Sequence, residues 1–398
     1  MAGDLLVTNV RPQGGASMDL LVKSGRIAGF GSGMTSPGTE TVDGGNAILL
    51  PGLVEAHTHL DKTLLGMPWY RNEVGPRLID KIDNERRQKS ILGIDPARQS
   101  ARQVVQSSAF GSTHIRAHVD VDTESKLAGV EGVLKTREAY RDLVDMDLVA
   151  FPQSGMLVRP GTLELMEEAL KLGVENVGGI DPSSIDRDPK GHLDAVFGLA
   201  DRYGRGVDVH LHEPGELGAF SLELMIERTK ALGMQGKVVA SHAFCLGMAD
   251  EAYVDRLIDG LREAGIHIMT TAPGSRPVPP LKKLRAAGVT VCAGSDGIRD
   301  TWGPYGDGDM LERAMFVGMR FNLRRDDEVE LALDVCTQGG AKVMGLTDYG
   351  LEVGAKADFV LVAGESVAEA VVNRAPRRLV GKAGKVVARD GKSMRTAP

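Results

Sequence analysis

The feature that most constrains the fold is an alternation, between residues 53 and 343, of short apolar segments with amphipathic helical patterns. The apolar segments are strand candidates, because they are rich in β-branched residues and are bounded by turn residues. Eight such segments occur, and helical patterns such as 193–203 and 249–264 lie between them. Eight βα units in about 290 residues predict an α/β fold, a (β/α)8 TIM-type barrel, in which functional side chains gather at the carboxyl ends of the strands.

Each of the eight strand candidates ends in a polar side chain. The end residues are His59, His118, Gln153, Asp181, His212, His242, Thr271 and Asp296. A doubly wound open sheet would use the same alternation, but neither a Gly-x-Gly-x-x-Gly turn nor a phosphate-binding loop follows the first strand. We therefore predict a barrel over residues 53–343 with its active site at this end of the strands.

The two ends of the chain differ from the barrel in their pattern. Residues 1–52 and 344–398 contain short strand patterns separated by turns. Neither stretch alone supplies enough strands to bury a face, so we predict that they pair into one small, discontinuous β-sandwich. Two independent flexible tails are the alternative.

Bulk composition restricts the classes of function. The chain of 398 residues carries a formal charge of −7 without a basic stripe, which argues against a nucleic-acid partner. Its apolar runs are too short to span a membrane, and residues 1–4 lack the basic segment of a signal peptide. Three cysteines without Cys-x-x-Cys spacing predict buried free thiols in a reducing compartment. We expect a cytoplasmic protein, and the sequence leaves homo-oligomer formation open.

A His-x-His pair at the first strand end indicates a metal site. His57 and His59 share one face of the strand, because side chains in a strand repeat every two residues. A third imidazole, from His210 or His242, and the carboxylate of Asp296 end later strands. Three neutral imidazoles and a carboxylate suit a borderline divalent cation such as Zn²⁺ or Fe²⁺. Two structural histidines under a loop are the alternative for His57 and His59.

Six motifs follow one another along the chain. They are PGLVEAHTHLDK at 51–62, RAHVD at 116–120, FPQSG at 151–155, HLHE at 210–213, SHA at 241–243 and SDGIRDTW at 295–302. In this order they resemble motifs of the amidohydrolase superfamily, in particular its cytosine deaminase-like branch, which includes s-triazine amidohydrolases. The resemblance covers nearly the whole chain and implies the same barrel and split terminal domain.

The resemblance implies one divalent metal ion per chain. Its implied ligands are His57, His59, His210 and Asp296. Relatives with two metals bridge them with a modified lysine at the end of the fourth strand. Here that strand ends in Gly178-Gly179-Ile180-Asp181 without a lysine, which favours a single ion.

The resemblance also implies roles in catalysis and substrate binding. Glu213 would shuttle a proton to the substrate, His242 would stabilise the oxygen that adds to it, and Asp296 would take a proton from the attacking water. Gln153 would recognise a ring carbonyl or ring N–H. A surface carboxylate, a buried structural histidine and a polar residue at the barrel rim are the respective alternatives for Glu213, His242 and Gln153.

The roles of four further residues stay open. His212 has the same parity as His210, so it could compete for the metal or support a ligand from behind. His118 could brace a ligand or line the pocket. Lys62 could be a surface lysine or could face an anionic or carbonyl-bearing substrate. Trp302 could cover a flat ring, with core packing as the alternative.

These residues predict hydrolytic deamination of a small aminated N-heterocycle, an isocytosine- or cytosine-like pyrimidine or a related cyclic amidine, with water as co-substrate and ammonia as product. Where cytosine deaminases carry a second aspartate after the metal aspartate, this chain has Gly297. We expect this change to remove a charged acceptor and add room, which favours isocytosine over cytosine. An s-triazine N-alkylamine amidohydrolase is the alternative. The missing lysine disfavours hydrolysis of a cyclic amide. Retention of all the implied site residues disfavours a non-catalytic binding barrel.

Overall fold

The computed structural model describes residues 3–398, so Met1 and Ala2 of the predicted sandwich lie outside the described residues. In chain order the strands are β1 (Leu5–Pro12), β2 (Met18–Lys23), β3 (Arg26–Gly31), β4 (Glu40–Pro51), β5 (Leu53–Thr58), β6 (Ser112–Asp120), β7 (Asp145–Phe151), β8 (Asn176–Ile180), β9 (Gly206–His210), β10 (Val238–Ser241), β11 (His267–Thr270), β12 (Val291–Ala293), β13 (Phe359–Val362), β14 (Arg377–Lys382), β15 (Lys385–Arg389) and β16 (Lys392–Ser393). The α-helices are α1 (Leu78–Ile91), α2 (Pro96–Ala109), α3 (Ala128–Ala139), α4 (Thr162–Lys171), α5 (Pro189–Tyr203), α6 (Gly215–Ala231), α7 (Glu251–Ala264), α8 (Leu281–Ala286), α9 (Met310–Arg320), α10 (Asp326–Asp334), α11 (Gln338–Val343) and α12 (Val367–Val372).

Strands β5 to β12 form one parallel sheet in which each strand pairs with its neighbours in the sequence. The sheet closes on itself, since Thr58 at the end of β5 forms a parallel bridge with Asp296 just after β12. Every residue of β5 and β6 is buried, as expected for strands that are covered by helices outside and by side chains inside the barrel. The prediction of a (β/α)8 barrel is confirmed.

The remaining eight strands form a second sheet in the order β16-β15-β14-β13-β4-β1-β2-β3. Strand β4, from the first part of the chain, pairs with β13 from the last part, so segments from both termini pair with each other, as predicted. Hydrogen bonds join the eight strands into a single continuous sheet, with its own apolar cluster that includes Val7, Leu20, Leu49 and Phe359. The domain limits of 1–52 with 344–398 and of 53–343 stay predictions.

The three cysteines agree with the expectation from composition. Cys245, Cys292 and Cys336 are buried and free. In residues 3–398 no helix combines the length and the apolar character that crossing a bilayer requires.

A buried lysine ties the terminal sheet to the barrel. Lys382, at the end of β14, donates hydrogen bonds to the carboxylates of Asp358 (2.6 Å) and Asp145 (2.8 Å). It also donates to the carbonyl oxygen of Thr113 in β6 (3.0 Å). Lys382 is 3% exposed, and the side chain of Asp358 is 2% exposed. A charge with so little access to water requires its partners, so the cluster holds the two sheets in one relative position.

We expect Lys382→Met to destabilise the protein by about 3 kcal/mol, the low end for a broken buried pair, because it leaves the buried Asp358 carboxylate with only Lys356, at 3.8 Å, as a nearby cation. The measurement is chemical or thermal unfolding followed by circular dichroism. Lys230→Met is the matched control, since Lys230 pairs with Glu263 on the surface, where both side chains are about half exposed, and exposed pairs contribute roughly 0–1 kcal/mol. Equal effects of the two substitutions would contradict the role of Lys382.

Candidate active site

A cavity of about 370 Å³ opens at the carboxyl ends of the barrel strands. Four side chains converge at its base, and each offers one ligand atom within 4.8 Å of the others. They are His57, His59, His210 and Asp296. Nε2 of His59 lies 3.1 Å from Oδ1 of Asp296, and Nε2 of His57 lies 3.7 Å from the same oxygen. The strand ends therefore bring together the four residues that the sequence suggested as metal ligands.

The chemistry of this group fits a divalent cation. Nε2 of His57 and both ring nitrogens of His210 are buried and have no hydrogen-bond partner in the described chain, which is costly for polar atoms unless something else binds them. Burial, followed by the charge of Lys62, lowers the pKa of His59 to about 4. Burial and the neighbouring histidines lower the pKa of His210 well below its ordinary value. Neutral imidazoles are the form that binds metal.

Among residues 3–398, three other groups of histidine and acidic side chains also bring potential ligand atoms together. Each contains an aspartate that is paired with a lysine or arginine, and a neighbouring positive charge disfavours a cation there. The pairs are Asp208–Arg116 at 3.3 Å, Asp120–Lys62 at 3.1 Å and Asp358–Lys382 at 2.6 Å. The group around His210 is thus the best candidate.

A hydrogen-bond chain orients His57 from behind. Nδ1 of His57 lies 3.2 Å from Oγ of Ser241, and that hydroxyl donates to Oδ1 of Asp208 (2.6 Å). His118, whose ring centre is 3.8 Å from that of His57, packs on the same side and points Nε2 at Asp208 (3.6 Å). Such partners fix the ring and the tautomer of a ligand histidine. Ser241 and Asp208 had no role in the sequence analysis, although Asp208 shares the parity of His210 in β9.

The backbone at the ends of β10 and β12 is strained. His242 has φ 70° and Asp296 has φ 64°, both in the left-handed region that non-glycine residues seldom occupy. The backbone N–H of Asp296 donates to the carbonyl oxygen of His57 (2.9 Å), which holds this conformation. Gly294 allows the approach, because a Cβ there would lie 2.5 Å from that carbonyl oxygen. The turn thus aims the Asp296 carboxylate at the histidines.

His212 and His242 form one wall of the cavity. Their rings stack at 4.4 Å, and Nε2 of His242 lies 3.8 Å from Oδ2 of Asp296. Nδ1 of His212 lies 2.8 Å from Oδ2 of Asp181. Burial alone would lower the pKa of His212, but the charge of Asp181 raises it above its ordinary value. His212 is therefore held by a carboxylate, and its ring is not among the four candidate ligands.

Glu213 points away from this wall. Oε1 accepts hydrogen bonds from the backbone N–H groups of Ser183 and Ser184, both at 2.7 Å, and Oε2 accepts one from the hydroxyl of Ser221 (2.6 Å). Glu213 is not among the residues that line the cavity. Burial, opposed by the Ser221 hydrogen bond, raises the pKa of Glu213. Its predicted contact with substrate would require the side chain to turn, and the proton-shuttle role stays a prediction.

Gln153 and Lys62 meet on the opposite wall. Nζ of Lys62 donates to Oε1 of Gln153 (2.7 Å) and pairs with Asp120 and Glu85 at 3.1 Å each. Because Oε1 is occupied, the side chain of Gln153 offers mainly its NH₂ group to a ligand. Lys62 is 3% exposed, so it is not a surface lysine.

Trp302 and Gly297 also line the cavity, as the sequence suggested. The indole N–H of Trp302 donates to Glu85, which fixes the ring beside Lys62. Next to Gly297 lies the carboxylate of Asp300, for which the sequence pattern predicted no role. Asp300 belongs to the motif SDGIRDTW, which could have drawn attention to it. The spacing of that motif does not predict whether its carboxylate lies beside Gly297 or on the surface.

A family profile described as the amidohydrolase family matches residues 40–388. The chain belongs to the amidohydrolase family. A curated relative, N-isopropylammelide isopropyl amidohydrolase of Pseudomonas sp. (strain ADP), is 33% identical over 358 residues, which are 88% of each chain. Membership makes the protein a hydrolase of carbon–nitrogen bonds and confirms the resemblance stated above.

Two solved structures are similar over the whole length. N-isopropylammelide isopropylaminohydrolase from Burkholderia multivorans has 50% sequence identity and a TM-score of 0.96, covering 98% of this chain and all of that one. The 5-methylcytosine deaminase from Klebsiella pneumoniae, liganded with 5-fluorocytosine, has 29% identity and a TM-score of 0.85, covering 98% and 99% of the two chains. The amidohydrolase family is metal-dependent, and the four candidate ligands of the present protein are in keeping with that.

We expect the purified protein to bind one divalent ion per chain, and Ser241→Ala to weaken its binding about 10- to 100-fold, because the substitution removes the group that orients His57. Metal analysis gives the stoichiometry, and competition with a chromophoric chelator gives the affinity. Ser100→Ala is the control, since Ser100 bonds Thr136 in the helical layer. Two tightly bound ions per chain, or unchanged affinity in Ser241→Ala, would contradict this description of the site.

Proposed function

We propose that this protein is a metal-dependent hydrolase that cleaves the bond between a ring carbon of a small N-heterocycle and its exocyclic amine. The observation that carries the proposal is the convergence of His57, His59, His210 and Asp296 at the base of a cavity lined by further polar groups. Similarity to amidohydrolases that act on such rings supports it. We propose Zn²⁺ or Fe²⁺ as the single ion, because three imidazoles and a carboxylate suit both.

A divalent cation held by these four side chains would supply a Lewis acid that makes water a better nucleophile at neutral pH. The Asp296 carboxylate accepts a proton from the attacking water. His242 donates a hydrogen bond to the oxygen that adds to the ring carbon, and Glu213, after its side chain turns toward the cavity, delivers a proton to the adjacent ring nitrogen. The proton that Asp296 took up passes to the exocyclic nitrogen, the carbon–nitrogen bond breaks, and the neutral amine leaves. The added oxygen returns its remaining proton to Glu213 as the ring carbonyl forms.

The cavity wall that contains Gln153 and Lys62 orients the ring of the substrate. The NH₂ group of Gln153 donates to a ring carbonyl, since its carbonyl oxygen is held by Lys62. Trp302 lies beside Lys62 and supplies an apolar surface for the flat face of the ring. These contacts favour a heterocycle that carries both a carbonyl and an amine, such as isocytosine or cytosine.

The second candidate is an N-alkylamino s-triazine, which would release an alkylamine instead of ammonia. An adjoining hollow of about 560 Å³ shares Gly297 and Tyr305 with the cavity and is lined by apolar side chains that include Phe316 and Met319. An alkyl group on the leaving amine could occupy this hollow. The 50% identity to N-isopropylammelide isopropylaminohydrolase favours the same candidate.

We expect metal-loaded protein to release an amine from at least one member of a panel of isocytosine, cytosine, pterin and N-isopropylammelide, because each presents an amine on a ring carbon beside a ring nitrogen. Ammonia and isopropylamine are measured separately, with and without a chelator. Release that the chelator abolishes supports the proposal, and the identity of the amine decides between the two candidates. Ring opening without amine release, or no turnover of any member, would contradict it.

Glu213→Gln should lower turnover of the best substrate by about 10² or more, because an amide cannot donate the proton that general acid catalysis needs. The substitution preserves an acceptor for Ser183 and Ser184, so metal content and melting temperature should be unchanged. Steady-state kinetics provide the measurement, with His212→Asn as the parallel variant. If Glu213→Gln stays near the wild-type rate and His212→Asn does not, the shuttle is His212.

A further inference from the structure

The cavity holds a second carboxylate, that of Asp300, to which the proposed function assigns no role. Asp300 is 6% exposed and lies in the loop after β12. Its Oδ1 accepts hydrogen bonds from the backbone N–H groups of Trp302 (2.8 Å) and Gly303 (3.0 Å). Within residues 3–398, no group donates a hydrogen bond to Oδ2. One oxygen of Asp300 therefore holds the turn, and the other is free to accept.

Gly297 shows where the free oxygen lies. A Cβ built on Gly297 would overlap Oδ2 of Asp300 and would lie 2.8 Å from its Cγ. The Asp300 carboxylate thus fills the space that a side chain at position 297 would occupy, and both residues line the cavity directly after Asp296. Although position 297 has no side chain, this wall still has a charged acceptor, because Asp300 supplies one from three positions further along the chain.

We propose that Oδ2 of Asp300 accepts a hydrogen bond from the leaving amine of the substrate and makes the site selective for amine-bearing rings. This assignment rests on the proposed function. An ionised carboxylate accepts hydrogen bonds and donates none, so it favours a ring amine over an oxygen acceptor at the same place. As the carbon–nitrogen bond breaks and the nitrogen gains a proton, its N–H groups become stronger donors, and the contact to Asp300 strengthens toward the transition state.

The alternative is that Asp300 has only a structural role, in which its carboxylate holds the turn at Trp302. Asp300→Asn separates the two roles, because an asparagine Oδ1 can still accept from the N–H groups of Trp302 and Gly303. Its NH₂ group replaces the free oxygen and donates where the carboxylate accepted. Gly297→Ala tests the same oxygen without changing Asp300 itself, since the new Cβ must displace the Asp300 carboxylate.

The experiment compares wild type, Asp300→Asn, Gly297→Ala and Asp307→Asn as metal-loaded full chains. Asp307 is the matched control, because it is a carboxylate in the same loop that bonds the backbone of Asp309 and does not line the cavity. The readouts are kcat/KM for the best amine substrate of the panel and the dissociation constant of its ring product, in which oxygen has replaced the amine. Metal content and melting temperature are measured for each variant.

We expect kcat/KM to fall about tenfold or more in Asp300→Asn and in Gly297→Ala, as loss of a charge-assisted hydrogen bond predicts. Product binding in Asp300→Asn should be as tight as in wild type or tighter, because its NH₂ group can donate to the oxygen that replaces the amine. Asp307→Asn should match wild type in both measurements. Unchanged kcat/KM in Asp300→Asn, or an equal loss of product affinity, would overturn the assignment while the proposed function stands. Absence of amine release by wild type would overturn the proposed function, and the assignment with it.

Discussion

The contact between the first and last barrel strands is the constraint on which the site depends. The N–H of Asp296 bonds to the carbonyl oxygen of His57, and the hydroxyl of Thr58 donates to the carbonyl oxygen of Asp296 (2.9 Å). These two bonds close the barrel and, in the same step, place the carboxylate of Asp296 against two histidines. Closure of the sheet and assembly of the ligand group are therefore one structural event, and a change that opens the strands also separates the ligands.

Charged side chains in the barrel interior below the site pair with one another. Arg116 lies between Asp147 and Asp208, at 2.6 and 3.3 Å, and Asp208 in turn bonds Ser241, which faces His57. Removal of Arg116 would leave the buried carboxylate of Asp208 without its cation. The network thus extends from the middle of the barrel to the ring nitrogen of a candidate ligand, and its rigidity is what holds that ring in place.

The sequence predicted the barrel and the pairing of the two termini from periodicity, which is a local property of the chain, whereas the set of four candidate ligands came from motifs that resemble those of amidohydrolases. Side-chain direction beyond a strand end is not local. Glu213 follows His210 closely in sequence, yet its carboxylate is held by Ser183, Ser184 and Ser221, which come from two other segments. The place of Asp300 depends on a turn whose shape is fixed by Trp302 and Gly303. Neither partner set could be recognised from spacing alone.

The two walls of the cavity are complementary in their hydrogen-bonding character. Lys62 occupies the oxygen of Gln153, so the wall formed by Gln153 presents a donor, whereas the wall after β12 presents the free oxygen of Asp300 as an acceptor. Apolar contact sets the plane of a flat ring but not its rotation within that plane, which directed hydrogen bonds must fix. A donor on one wall and an acceptor on another allow one rotation for a ring with a carbonyl and an amine. A ring with two carbonyls would set an acceptor against Asp300, which disfavours the product and assists its release.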